Sequence, residues 1–190
     1  MHEFKRRFPR PPNDWTEHKI SDIADRVNQR NTEANQNVLT ISAEYGLISQ
    51  NEYFSRRVAS ESVTGYFLLE SGDFAYNKSY SKGYPLGAIR RLDRYAKGCV
   101  SPLYICFRPK ASVVNSGFLM HYLDGGAIDS GLADVAKEGV RNHGLLNVGV
   151  ADFFRLNISL PPMAEQEMVA RILDTLDTTI RQTEAIIAKL

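Results

Sequence analysis

The chain has 190 residues, 43% of them hydrophobic and 24% charged, which suits one ordinary globular domain with material left for an appendage. A formal net charge of +1 excludes nucleic-acid binding through bulk charge, so any such function has to rest on a local patch. No run of 18 apolar residues occurs, and the four basic residues between Met1 and Arg10 lead into no apolar core, so neither membrane insertion nor secretion is indicated and the expected compartment is the cytoplasm.

The segment Phe8-Pro9-Arg10-Pro11-Pro12-Asn13-Asp14-Trp15 is a proline-stiffened lead-in that cannot be helical and that delivers Trp15 to the core. Ser21 can cap a short helix in which Ile23, Ala24 and Val27 share a face. Residues Asn28 to Asn37 are too polar for core and read as a loop. Short runs rich in branched and aromatic residues then follow, divided by Gly, Ser, Asn and Pro: Val38 to Ser42, Tyr66 to Glu70, Asp73 to Asn77, Gly87 to Leu92 and Leu103 to Phe107. They predict a curled, mostly antiparallel sheet.

After Pro109 the pattern turns helical. Ser116 to Leu123 ends at Gly125-Gly126, and Gly131 to Lys137 is a second short helix before Gly139; both are expected on one side of the sheet. Leu156, Ile158 and Leu160 alternate with polar residues, which predicts a last strand. Cys99 and Cys106 have no second pair and no neighbouring histidine, so neither a disulfide framework nor a metal site is expected.

Pro161 and Pro162 stop that strand, and Glu165 and Glu167 place negative charge in the first turn of a helix beginning near Ala164. Val169, Leu176, Thr183 and Leu190 recur every seven residues. Ile172, Thr179 and Ile186 form a second series, and Leu173, Ile180 and Ile187 widen the stripe. A helix from Glu165 to Leu190 would be a rod of roughly 39 Å, long enough to overhang a small domain. Such a stripe suits either a helix lying along its own core or an arm that pairs with another helix, and Thr179 and Thr183 favour the narrow seam of the arm. The expected fold class is α+β: a mostly antiparallel curled sheet with short helices over residues 1–160, and a long projecting C-terminal helix over 161–190.

The stretch from Phe74 to Gly98 gathers Lys78, Lys82, Arg90, Arg91, Arg94 and Lys97 against the single acid Asp93, and interleaves them with Tyr76, Tyr80, Tyr84 and Tyr95. Asn77 and Ser79 add neutral groups able to bond base edges or phosphates. The pattern fits a nucleic-acid surface, or equally a solvated strand-loop-strand face with its tyrosines half in the core. If all six bases met phosphates, log K would fall against log salt with a slope of about −5. No catalytic constellation is found. His2, His18, His121 and His143 lack ligand spacing, no nucleophile-elbow or glycine-rich phosphate motif occurs, and Arg141-Asn142-His143 is a secondary candidate for ligand contact.

The lead-in with Trp15, Gly72-Asp73-Phe74-Ala75-Tyr76-Asn77-Lys78, Gly87, the Ser101 strand and, most specifically, Leu160-Pro161-Pro162 with Glu165-Gln166 and the long helix resemble the specificity subunit of Type I restriction-modification systems. The resemblance covers Trp15 to Leu190. It implies a non-catalytic target recognition domain that reads one half of a split DNA target, and a coiled-coil spacer and dimerisation helix. The usual subunit carries two of each, so this chain resembles a half subunit. The implied partners are double-stranded DNA, a methyltransferase subunit, a nuclease subunit where the system restricts, and a second copy of the chain; no cofactor or membrane is implied. On this reading the DNA-binding candidates are Asn77, Lys78, Ser79, Tyr80, Lys82, Tyr84, Arg90, Arg91 and Arg94, with Asn77 suited to an adenine edge and the arginines to guanine or phosphate. The helix interface candidates are Val169, Ile172, Leu173, Leu176, Ile180 and Ile187. A protein that only dimerises and docks a partner through the helix is the alternative.

Overall fold

The computed structural model describes residues 12, 14–42, 45–53, 63–79, 83–137 and 146–189. Outside them lie Tyr80 and Lys82, the lead-in before Pro12, Asn13, His2, the Arg141-Asn142-His143 loop and Leu190. In chain order the elements are β1 (Thr16–Lys19), α1 (Ile20–Ile23), β2 (Ala24–Val27), β3 (Leu39–Ser42), β4 (Gly46–Ser49), α2 (Gln50–Tyr53), β5 (Phe67–Glu70), β6 (Phe74–Asn77), β7 (Ala88–Arg91), β8 (Lys97–Val100), β9 (Ile105–Pro109), α3 (Ser116–Asp124), α4 (Asp129–Lys137), α5 (Val150–Arg155), β10 (Asn157–Leu160) and α6 (Met163–Ile187).

A four-stranded sheet in the order β2-β9-β6-β7 forms the centre, and three two-stranded ladders, β1-β10, β3-β4 and β5-β8, surround it. Each of these ladders is antiparallel, as the strand spacing predicts. Strands β6 and β9 are apolar on both faces because both faces are covered. Phe74, Tyr76, Ile105 and Phe107 point into one core with α1, α3, α4 and α5. Ala75 and Cys106 point into a second core with Leu39, Leu47, Leu69, Leu92 and Val100. In the first core Phe74 stacks on Phe107 at 5.1 Å, and Phe153 closes over Tyr76 at 5.4 Å. Truncating Phe107 to alanine there would cost about 3–5 kcal/mol in lost burial and cavity.

Trp15 packs edge-on against Phe118 and Tyr122, at 6.0 and 5.6 Å, and joins the chain entrance to α3 as expected. The helix expected to run from Ser21 through Val27 is a single turn. It starts at Ile20, with the Asp22 carboxylate accepting from the Lys19 N–H at 2.8 Å, so Ser21 is not its cap. From Ala24 onward the ladder with β9 wins over helix propensity. Asn28 to Asn37 holds no strand or helix, but it is not wholly excluded from the interior. Asn31 is buried, and its amide accepts from the Asn35 N–H and donates to the carbonyls of Asn35 and Val63, which satisfies it there.

The two thiols are buried and free, and burial pushes Cys99 up to about 11 and Cys106 up to about 12, so both behave as packing residues and not as nucleophiles.

Helix α6 has 25 residues and is about 38 Å long. It leaves the body from a fixed base. Gln166 is 2% exposed; its carbonyl oxygen accepts from the Asn115 N–H at 2.8 Å, and its amino group donates to the Pro161 carbonyl at 2.9 Å. Beside it, Ala170 is buried, and contact with α3 holds the first half of the rod. No described helix is long and apolar enough to cross a membrane.

Candidate nucleic-acid interface

The basic stretch folds into β6, a loop, the edge strand β7 and the turn into β8. Gly87, at φ +81°, closes the loop, because any Cβ there would lie 2.3 Å from the Asn77 carbonyl oxygen. Asn77, Lys78 and Ser79 are half-buried at the sheet end of the loop. The Asn77 side-chain oxygen accepts from the Ser79 N–H at 3.1 Å, an Asx turn that fixes the amide, and Lys78 Nζ donates to the Val148 carbonyl at 3.3 Å.

Tyr84 stands on the far side of the loop, with its hydroxyl accepting from Arg90 at 2.6 Å and its ring 5.1 Å from the Arg90 guanidinium carbon. Arg90 also pairs with Asp124 of α3 at 2.5 Å, and its side chain is 12% exposed. It pins the sheet edge to the helix, so a DNA contact from Arg90 would have to displace an existing pair. Arg91 is similarly engaged, with Asp93 at 2.6 Å and with the Ser116 hydroxyl at 3.2 Å. Lys97, the first residue of β8, bonds Glu33 at 2.8 Å, which raises its ammonium above the ordinary lysine range. Arg94 is exposed in the turn between β7 and β8. The positive balance legible in the stretch is therefore partly cancelled in space by acids that come from elsewhere in the chain.

Arg90, Arg91 and Arg94 line one wall of a cleft of about 460 Å³ whose other wall is α3 and α6. Arg181 of α6 completes this group. Sequence reading missed it because it lies far from the basic stretch, on a helix read only for its apolar residues. His121 has no metal-ligand spacing in the sequence. It is 3% exposed at the α3–α6 contact, with Nε2 2.8 Å from Asp174 and Nδ1 3.7 Å from Asp177. It ties α6 to the body one turn beyond Ala170. Among the described residues, no group of His, Cys, Asp and Glu could hold a metal ion.

The six helix candidates divide. Val169 and Leu173 are half-buried, and Val169 packs on the first core. Ile172, Leu176, Ile180 and Ile187 are 54%, 49%, 48% and 63% exposed and form an apolar stripe beside the face that docks on α3. Met168 and Ile186 lie open near the same stripe.

Solved structures share this fold. One, from a study of complex assembly and conformational transition of the type I R-M system, has a TM-score of 0.61 and 17% identity over 95% of this chain and 47% of that one. The S subunit of a Type-I restriction-modification system from M. genitalium gives 0.56 and 17% over 94% and 44%, and the HsdS subunit from Thermoanaerobacter tengcongensis gives 0.53 and 14% over 94% and 41%. The chain thus spans less than half the length of each. Sequence comparison with curated proteins gives no match. Residues 12–190 match the family model described as the Type I restriction modification DNA specificity domain, which takes in the sheet, the basic edge and the whole long helix, and the chain belongs to that family.

Proposed function

We propose that the chain is a non-catalytic reader of double-stranded DNA within a Type I restriction-modification system. Residues 1–160 act as the target recognition domain, and residues 161–190 act as the helix that spaces and joins it. The observation that carries this is the family match over residues 12–190. The connection between β6 and β7 supports it, since Asn77, Lys78 and Ser79 lie on one side of it and Tyr84 on the other, with Tyr80 and Lys82 between them in sequence. The amide and hydroxyls suit base edges, and the charged groups suit phosphates.

The exposed stripe of Ile172, Leu176, Ile180 and Ile187 supports pairing with the same helix of a second copy, which would bring two recognition domains to one duplex. A rod of about 38 Å compares with about 34–36 Å for one turn of DNA, so two antiparallel copies would face successive turns. The methyltransferase subunit, and a nuclease subunit in a restricting system, would be positioned by this assembly. The full chain, used to select from a pool of random duplexes, should enrich one short sequence. It should show no binding of S-adenosylmethionine by itself. Selection that returns no enriched sequence, with no salt-dependent affinity for any duplex, would leave only a dimerising and docking protein.

A further inference from the structure

The cleft between the sheet edge and α6 holds positive charge that its own acids do not neutralise. Its lining sets four arginines, Arg90, Arg91, Arg94 and Arg181, against three acids; Asp124 holds Arg90 at 2.5 Å and Asp93 holds Arg91 at 2.6 Å, while Asp177 lies 3.7 Å from His121. Arg94 and Arg181 line the same cleft, and neither has an ion-pair partner among the described residues. They come from opposite walls, one from the turn after β7 and the other from the long helix.

Two guanidinium groups facing one cleft repel each other unless an anion lies between them, and their planar forks match the oxygens of a phosphate. A hydrophobic ligand is poorly served by such a lining. An acidic protein segment would meet Asp93, Asp124 and Asp177 as well as the arginines, at spacings set by its backbone. A diester phosphate brings one negative charge and the oxygens that such forks bond.

We propose that Arg94 and Arg181 clamp a backbone phosphate of the DNA, so that the long helix contributes a sequence-independent DNA contact of its own besides spacing the recognition domains. This rests on the DNA-reading function above. It separates two tasks in space, with sequence read by the loop between β6 and β7 and register held at the junction with α6.

The test is a titration of the full chain with a labelled duplex of mixed sequence at several salt concentrations, repeated with Arg94→Gln, Arg181→Gln, the double variant and Arg171→Gln. Arg171 is an exposed arginine ten residues, and so about 15 Å, back along the helix, and it controls for net charge alone. Each cleft variant should flatten the slope of log K against log salt by about 0.9 and weaken binding roughly eightfold at 0.1 M salt, and the double variant should do so about twice over. Arg181→Lys should restore the slope, Arg171→Gln should leave it unchanged, and the sequence enriched in a duplex selection should be the same for all variants. Parental affinity and slope in the double variant, with DNA still bound, would overturn the clamp while leaving the DNA-reading function standing. A parent chain with no salt-dependent affinity for DNA would overturn both. Inorganic phosphate bound by the parent and lost in the double variant, with affinity for the duplex unchanged, would assign the cleft to a free anion and also overturn the clamp.

Discussion

Gln166 shows how one side chain can set the direction of a whole element. Proline stops β10 and forces the chain to turn, but proline alone leaves the exit angle of the next helix open. The Gln166 amide closes it, because it bonds the Asn115 N–H, the residue that caps α3 through its own side chain, and the Pro161 carbonyl at the helix entrance. Gln166→Leu keeps the volume and removes these bonds together with the longer one to the Val113 carbonyl at 3.4 Å, so one N–H and two carbonyls are left to find partners. An unsatisfied buried group costs about 1–3 kcal/mol, and the expected loss of stability in urea denaturation is of that size or somewhat more. Gln166→Glu keeps the acceptor but sets a buried carboxylate against the Pro161 and Val113 carbonyls, and should cost at least as much as the leucine variant. A change below about 0.5 kcal/mol in both variants would show that the helix is oriented by its apolar contacts alone.

At the scale of elements, α6 carries two separate faces. Gln166, Ala170 and Leu173 turn toward the body, whereas Ile172, Leu176 and Ile180 lie open. Leu176→Asp touches only the open face, so it should leave the fold of one chain intact while placing a charge in the seam of a pair, at a cost of several kcal/mol. Sedimentation at tens of micromolar should then show a dimer for the parent and a monomer for the variant, and a monomeric parent would remove the seam from the account. The helix was legible in sequence because its prolines, acidic first turn and heptads agree with one another. The central strands β6 and β9 were legible because both faces are apolar or aromatic, and β7 because Gly87 marks its start. By contrast, β1 reads Thr-Glu-His-Lys and has no apolar pattern; its pairing with β10 places it, and local sequence does not. Strand β8 was hidden inside a stretch read for its charge, and β4 and α5 were too short to carry a period of their own. The basic patch was legible as a composition, but its charge balance was not, since the acids that answer it, Asp124 and Glu33, are distant in sequence.

For the whole molecule, that balance decides how binding should respond to salt. With a net charge of +1 there is little long-range attraction, so the slope of log K against log salt counts close contacts. When a base already paired with an acid moves to a phosphate, the duplex gives up a cation and the abandoned acid takes one, so the exchange contributes almost nothing to the slope. Arg90, Arg91 and Lys97 are in that position, through Asp124, Asp93 and Glu33. Taking those three out of the six removes about 0.9 each from the expected slope of about −5, which leaves a slope no steeper than about −3, and Arg181 brings that limit to about −4. The same reasoning predicts that Arg90→Ala destabilises the sheet edge while leaving the slope near its parental value, whereas Arg94→Ala flattens the slope and leaves stability within about 0.5 kcal/mol. Thermal melts alongside the salt titrations separate the two effects. A measured slope of −5 or steeper, or an Arg90→Ala variant that flattens it by a full unit, would mean that the ion pairs at the sheet edge open on the duplex and that Arg90 itself faces the DNA.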